Sequence, residues 1–161
     1  RDRVQDYADK YGVEFFPGQK PWGRVKADVY MPCATQNDIR LEDAQRMVEE
    51  GHSTTLIEVA NMPTTLDAIA YLKEHKWVIA PSKAVNAGGV AVSALEMSQN
   101  AMKLSWTADE VDERLHVIMN NIFTNISNAA KKYGMEGDLI AGANLAAAER
   151  IVVAMEEQGI V

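Results

Sequence analysis

The sequence predicts an α/β protein, in which a partial parallel sheet with flanking helices is followed by a C-terminal helical segment. Three observations lead to this prediction. Short apolar runs alternate with stretches of helical period through the first half of the chain. Strands that alternate with helices at this spacing form right-handed βαβ units and a parallel sheet. From Gly89 onwards the pattern is entirely helical.

Four short apolar runs are predicted to be strands. They comprise residues 13–16, 27–31, 54–59 and 77–80. The first ends in the turn-rich PGQKPWG of residues 17–23, and the second is closed by Pro32. Each is short and mainly apolar, as is typical of strands buried inside an α/β protein.

Helical period and terminal signals predict the helices between and after these strands. Thr107 and Glu110 have the spacing of a capping box, so a helix is expected to begin there and to continue until Gly134. Gly12 and Gly159 are expected to end the first and last helices. The other predicted helices cover residues 1–11, Leu41–Glu50, 66–75, a segment that follows Gly89, and Leu139–Gln158.

Composition limits the classes of protein to be considered. A chain of 161 residues suits one domain, residues 1–161, in which residues 105–161 form a possible helical lobe. The net charge of -7 argues against binding to nucleic acid or to an anionic membrane. A single cysteine, Cys33, and a charged start without a signal sequence predict a cytoplasmic protein. Cys33 is expected to be buried and unreactive, and no metal-binding motif is present.

Three loops are expected at the carboxyl ends of the strands, where open parallel sheets bind ligands. Their sequences are CATQN, ANMPTT and PSKAVNAGG, and each contains an asparagine: Asn37, Asn61 and Asn86. An amide both donates and accepts hydrogen bonds, so these residues suit ribose hydroxyls or a carboxamide. Asparagine is also a common turn residue, and the residues alone leave both interpretations open.

The third loop continues into a helix that could hold a small ligand. Gly88 and Gly89 would allow a ligand to approach the backbone closely and would adopt dihedral angles closed to other residues. Val90 and Ser93 lie three residues apart, which places an apolar side chain next to a hydroxyl. This pair suits a ligand with an aliphatic part and a carboxylate. Alternatively, the small residues only allow helix and sheet to pack closely.

Several familiar sites are absent from the sequence. No G-x-G-x-x-G follows a strand, and there is no P-loop, no HExxH and no pair of metal-binding cysteines. His52, His75 and His116 fall on helix ends or faces, so no Ser–His–Asp triad is predicted. If the fold binds nucleotides, its first βα unit is missing.

Taken together and in order, CATQN, EVANMPTT and PSKAVNAGGVAVSALEMSQN resemble glutamate dehydrogenases of the hexameric type found in bacteria and lower eukaryotes. The resemblance extends through LSWTADEVDERLH, the GAN of residues 142–144 and the earlier FPGQKPW. It implies a partial Rossmann-type parallel sheet that forms the C-terminal part of the NAD(P)-binding domain. The implied reaction is the reversible oxidative deamination of L-glutamate to 2-oxoglutarate and ammonia, with NADP or NAD as the cofactor.

The resemblance also implies roles for individual residues. For the coenzyme, Ala34 and Thr35 would lie near the adenosine and pyrophosphate, Asn61 near the nicotinamide ribose and Asn86 at the nicotinamide end. Gly88 and Gly89 would allow its close approach. Ser93 would hold the side-chain carboxylate of glutamate, and Val90 would pack on its methylenes.

The family's catalytic lysine and aspartate belong to an N-terminal domain that this sequence does not match. The resemblance therefore implies a homo-hexamer when full length, whereas this chain alone is expected to be inactive. Two alternatives stay open: a related amino-acid dehydrogenase with another substrate, and a non-catalytic interaction module of dinucleotide-binding fold. Ser93 argues against an apolar substrate, which would leave a buried hydroxyl without a charged partner.

Overall fold

A computed structural model describes residues 4–159 of the chain, and within that range it contains two strands and seven helices. The helices are α1 (Val4–Tyr11), α2 (Leu41–Glu50), α3 (Leu66–Glu74), α4 (Ser82–Val85), α5 (Ala87–Met102), α6 (Ala108–Lys132) and α7 (Leu139–Gln158). The strands are β1 (Thr55–Ile57) and β2 (Val78–Ala80). They are parallel, with Leu56 opposite Ile79, so the predicted α/β fold with a parallel sheet is confirmed.

A third parallel segment lies on the other side of β1, but it pairs through a single residue. Tyr30 donates its N–H to Thr55 at 3.1 Å and accepts from Ile57 at 2.9 Å. Pro32 continues the pairing as an acceptor, from Val59 at 3.2 Å and Ala60 at 2.9 Å. Because proline has no N–H to return, the ladder ends there. The predicted strand over residues 27–31 is therefore reduced to one bridge.

The predicted strand over residues 13–16 does not form. These residues are exposed and have no strand partner within the described range. Isolated β-type sequence has no hydrogen-bonding ladder to stabilise it, so Val13, Phe15 and Phe16 remain in an irregular segment.

Most predicted helices occur where their periodicity and terminal signals place them. The bounds of α2 and α7 match the prediction, and α3 ends one residue earlier than predicted. In the predicted capping box, Thr107 accepts from Glu110 N–H at 3.3 Å, and the Glu110 carboxylate accepts from Thr107 N–H at 2.7 Å. For the first helix, the predicted residues 1–3 lie outside the described range.

The main core lies between the strands and helices α2 and α3. Leu56, Met47 and Leu72 are fully buried there, and Trp22, Tyr30 and Trp77 complete the cluster with their aromatic rings. A smaller cluster joins α4, α6 and α7 through Ala84, Ile126 and Ala143. Ile140 of α7 packs against the main core, so the C-terminal helices contact the sheet region.

Helix α5 packs on α6 through one side and leaves an apolar stripe exposed on another. Val92 and Leu95 are partly buried on the side of α5 that faces α6, whereas Val90 and Met97 are 71% and 72% exposed. The stripe formed by Val90, Ala94, Met97, Ala101 and Leu104 thus faces solvent. Across residues 4–159, no helix is both long and apolar enough to cross a membrane.

Candidate functional site

The three carboxyl-end loops converge on one open cleft of about 690 Å³. Parallel pairing of Tyr30, β1 and β2 places the segments that follow them at one edge of the sheet. The first two loops are anchored to each other, because Asn37 N–H donates to Met62 at 2.9 Å. The cleft is lined by Cys33, Ala34, Gln36, Val59, Ala60, Asn61, Lys83, Asn86, Ala87 and Val90.

Two of the predicted amides meet across this cleft. The Nδ2 of Asn86 donates to the Oδ1 of Asn61 at 2.6 Å, which connects the loop after β1 to the short helix after β2. This bond uses one donor of Asn86 and one acceptor of Asn61. Each amide keeps further hydrogen-bonding groups, so the pair can hold a polar planar ligand while the two side chains fix each other's orientation.

The first loop contributes less than predicted. Ala34 lines the cleft, whereas Thr35 is exposed and lies outside the lining. Asn37 adopts a left-handed conformation, with φ 54°, in a turn and does not line the cleft. Asparagine tolerates this conformation better than most residues, so the turn explains Asn37 without a ligand.

The two adjacent glycines lie inside helix α5 and not in a loop before it. Neither has a positive φ, so the expectation of dihedral angles closed to other residues is wrong. Gly88 faces α6, where an added Cβ would lie 3.4 Å from both Leu115 and Met119. Gly88 thus lies at the contact between α5 and α6, where an added Cβ would be at ordinary van der Waals distance from two side chains. An added Cβ at Gly89 would meet nothing within 4 Å, and neither glycine lines the cleft.

Val90 and Ser93 both lie on exposed positions of α5, three residues apart. Val90 is part of the lining, and Ser93 is nearly one turn further along the helix. The Ser93 hydroxyl donates to the carbonyl of Gly89 at 3.1 Å. A hydroxyl has one proton to donate, so holding a carboxylate would require the Ser93 O–H to rotate away from Gly89.

Other residues of the cleft differ from expectation or were not predicted as ligands. Cys33 is exposed, with its Sγ 3.2 Å from the Met31 carbonyl, so the expected burial is wrong. Gln36 and Lys83 add polar groups to the lining. Both lie on loops that were predicted to face a ligand, and this position is the sequence feature by which they could have been predicted. The Lys83 ammonium donates to Asn144 of α7, which links the cleft to the C-terminal helices. His116 is surface-exposed beside Asp112, far from a triad arrangement.

A parallel βαβ sheet whose carboxyl-end loops form a polar cleft defines the chain as a ligand-binding protein of Rossmann type. The chain belongs to the glutamate/leucine/phenylalanine/valine dehydrogenase family, whose model matches residues 1–159.

Within that family, the chain is similar to several glutamate dehydrogenases. The chain is 55% identical over 161 residues to an NAD-specific glutamate dehydrogenase of Clostridium symbiosum, covering 99% of this chain and 35% of the relative. It is 46% identical over 165 residues to an NADP-specific glutamate dehydrogenase of Haemophilus influenzae, with coverages of 99% and 35%. The chain therefore spans about a third of the length of the curated relatives it matches.

Solved structures agree with the fold. A glutamate dehydrogenase structure superposes with a TM-score of 0.93 at 55% identity, covering 100% of this chain and 36% of the other. A Plasmodium falciparum glutamate dehydrogenase 2 gives 0.91 at 42% identity, with coverages of 99% and 35%. The partial Rossmann-type sheet followed by helices is thus a recurring part of larger glutamate dehydrogenase chains.

Proposed function

We propose that this chain forms the coenzyme side of an NAD(P)-dependent glutamate dehydrogenase, as one part of a longer enzyme. The reaction would be the reversible oxidative deamination of L-glutamate to 2-oxoglutarate and ammonia. The observation that supports this most directly is the hydrogen bond between Asn61 and Asn86 across the cleft. The family resemblance assigns Asn61 to the nicotinamide ribose and Asn86 to the nicotinamide end of the coenzyme.

The cleft fits a nicotinamide coenzyme in its chemistry. The remaining donors and acceptors of Asn61 and Asn86 match a carboxamide and ribose hydroxyls, and Ala34 allows a ribose or phosphate to lie close to the loop. Lys83 adds positive charge at the rim. When bound, the coenzyme supplies the hydride acceptor and donor. The side chains of the lining are proposed to bind and orient it. Thr35, Gly88 and Gly89 lie outside that lining, and their proposed roles near the coenzyme rest on the resemblance alone.

Val90 and Ser93 are proposed to contact glutamate. Val90 presents an apolar surface of the right size for two methylenes, and the Ser93 hydroxyl can donate to the side-chain carboxylate after it leaves Gly89. The family also contains leucine, phenylalanine and valine dehydrogenases, so substrate class has to be decided by individual residues. An apolar side chain would leave the Ser93 hydroxyl without a ligand partner.

A chimera tests the proposed function of the chain as a whole. This chain would replace the matching 161 residues of the Clostridium symbiosum enzyme, to which it is 55% identical. We expect NAD(P)-dependent oxidation of glutamate within about tenfold of the parent enzyme's kcat/KM. A folded chimera that binds neither NADH nor NADPH would contradict the proposal, with the unmodified parent enzyme as the reference.

A substitution at Ser93 tests the substrate assignment. In the full-length enzyme, Ser93→Val should lower the selectivity for glutamate over norvaline by about 10²-fold or more, since it removes a charge-assisted hydrogen bond worth roughly 1.5–3 kcal/mol and adds apolar surface. Ser98 provides a matched control, because it is exposed on the same helix and donates to the Ala94 carbonyl at 2.8 Å. Ser98→Val should leave selectivity unchanged. Equal effects of the two substitutions would remove Ser93 from the site.

The intact enzyme is further proposed to be a cytoplasmic homo-hexamer, completed by the catalytic lysine and aspartate of a separate N-terminal domain. A structural neighbour from Thermus thermophilus, 24% identical, is described as a hetero-hexameric glutamate dehydrogenase and supports the fold alone. On this proposal the isolated chain does not turn over glutamate, because a bound coenzyme lacks the groups that move the proton.

A further inference from the structure

Glu58 is the feature of this structure that neither the sequence motifs nor the cleft itself explain. It follows β1 directly and is only 3% exposed. One carboxylate oxygen, Oε2, accepts the backbone N–H of Ser82 at 3.3 Å. The other, Oε1, is fully buried and has no hydrogen-bond partner within the described part of the chain.

A buried carboxylate in this state is costly. No basic side chain of residues 4–159 forms an ion pair with it. Within that range, its carboxylate accepts one hydrogen bond, from a neutral backbone N–H. Burial of a carboxyl group with an unsatisfied oxygen is unfavourable relative to burial of an apolar residue of similar size. Stability alone therefore does not account for a glutamate here, and costs of this kind concentrate at functional sites.

The position of Glu58 indicates what it does. Its backbone N–H bonds to Ala80 at the end of β2 at 3.0 Å, and its side chain bonds to Ser82 at the start of α4. Three residues after Glu58 is Asn61, and four residues after Ser82 is Asn86. The Glu58–Ser82 bond thus joins the first residues of two segments, 58–61 and 82–86. The last residues of the same two segments are joined by the Asn61–Asn86 bond.

We infer that Glu58 is a positioning residue of the cleft: it holds the start of α4 against the loop after β1, so that Asn61 and Asn86 stay within hydrogen-bonding distance and are preorganised for the coenzyme. This inference rests on the proposed function only for the identity of the ligand. Preorganisation of a polar pair reduces the conformational freedom that is lost on binding, and so increases affinity without adding a contact.

Two substitutions remove the same bond from opposite ends. Glu58→Ala removes the acceptor. Ser82→Pro removes the donor while Glu58 stays in place, and the backbone there accepts proline: Ser82 is the first residue of α4, and Pro81 has the extended φ of -75° and ψ of 146° that a following proline favours. In the full-length enzyme, both variants should raise the Kd for NADH and NADPH, measured by fluorescence titration, by about tenfold. In ligand-free crystals of either variant, the Asn86 Nδ2–Asn61 Oδ1 distance should exceed 3.5 Å, the limit for such a bond.

Three controls separate positioning from general destabilisation. Asp43→Asn removes an equally buried carboxylate, also 3% exposed, that lies outside the cleft, and Ser82→Ala keeps the backbone N–H. Both should leave the coenzyme Kd within twofold of the parent value. Glu58→Gln keeps an acceptor for Ser82 and should restore the Kd to within about threefold.

The inference is overturned if Glu58→Ala or Ser82→Pro binds coenzyme with the parent affinity, or if Glu58→Gln is as impaired as Glu58→Ala. If Glu58→Ala fails to fold, Ser82→Pro provides the same measurement. A parent enzyme that binds no coenzyme contradicts the proposed function instead. In that case the Asn61–Asn86 distance in ligand-free crystals still decides the role of Glu58.

Discussion

At the scale of single residues, Asp43 attaches the loop that contains Lys20 to the start of α2. Its carboxylate is buried near the start of α2, where it accepts from Lys20 at 2.9 Å, from Arg40 N–H at 3.1 Å and from Arg46 at 3.3 Å. Burial acts to raise the pKa of Asp43, but the hydrogen bonds from Lys20 and Arg40 and the charge of Lys20 outweigh it. The net pKa of Asp43 therefore lies below its ordinary value of 3.8.

Replacing Asp43 with asparagine should destabilise the chain by about 1–3 kcal/mol at neutral pH, because charge-assisted hydrogen bonds are lost from a buried site. A carboxylate whose pKa is lowered by folding stabilises the native state above its unfolded pKa, and this contribution is lost as the pH falls through the folded value. The difference in unfolding free energy between parent and Asp43→Asn should accordingly shrink below about pH 3.8. Urea unfolding of both proteins at a series of pH values from 7 to 3 measures this difference in unfolding free energy.

The exposed neighbour Glu42, in the same first turn of α2, is the matched control for that experiment. Glu42→Gln should change the unfolding free energy by less than about 0.5 kcal/mol. A difference between parent and Asp43→Asn that stays constant down to pH 3 would mean that the carboxylate is not stabilised by the folded state.

At the scale of elements, the contact between α6 and α7 organises the C-terminal helices. Gly142 of α7 lies directly on the α6 backbone, where an added Cβ would be 2.1 Å from the Ile126 carbonyl oxygen. The start of α7 is held by Asp138, which accepts from Ala141 N–H at 3.0 Å and from Lys73 of α3 at 2.6 Å. Burial acts to raise the pKa of Asp138, but these two partners keep it below its usual value. The start of α7 thus joins the C-terminal helices to α3 and the sheet region.

Gly142→Ala should destabilise the chain by roughly 1–3 kcal/mol, because the new methyl group collides with backbone that no side-chain rotation can move. Gly89 is the matched control, as a helical glycine with open space around it. Gly89→Ala should stabilise the chain by up to about 1 kcal/mol through helix propensity alone. Thermal and urea unfolding of the two variants give the comparison. Similar effects at both positions would show that the α6–α7 contact is looser than described.

At the scale of the whole molecule, large apolar surfaces are exposed. The segment of residues 27–31 pairs with β1 on one side, and no strand of residues 4–159 covers its other side. Val29 and Met31 are exposed along this free edge, and the apolar stripe of α5 is exposed as well. Free edges and apolar faces favour association with other chains.

The isolated chain is therefore expected to self-associate through the edge of residues 27–31. Val29→Lys places a charge on that edge and should weaken self-association about tenfold or more, as measured by sedimentation equilibrium. Val117→Lys is the control, since Val117 is similarly exposed on α6 and lies away from the edge. An equal response of both variants would point to non-specific apolar association in place of edge pairing.

The site was predictable where local sequence specifies loops at one edge of a parallel sheet. The positions of Asn61 and Asn86 at this edge follow from that topology, and the structure brings the two amides together in a hydrogen bond. Their ligand, and the roles of Ala34, Thr35, Val90 and Ser93, stay predictions. The glycines were misplaced because a glycine pair before a helical pattern resembles a loop, whereas both residues lie inside α5, where Gly88 faces α6.

The sequence by itself determined the order and most bounds of the helices other than α4, the capping box at Thr107 and the parallel α/β class, because periodicity and terminal residues act locally. Tertiary structure decided which apolar faces are covered. Helix α5 packs through Val92 and Leu95, and residues 13–16 form no strand because no strand of residues 4–159 lies beside them. It also decided that the side chain of Glu58 is buried, with a single hydrogen bond to its carboxylate from the backbone N–H of Ser82. Burial depends on which segments meet in space, and residue spacing along one segment does not contain that information.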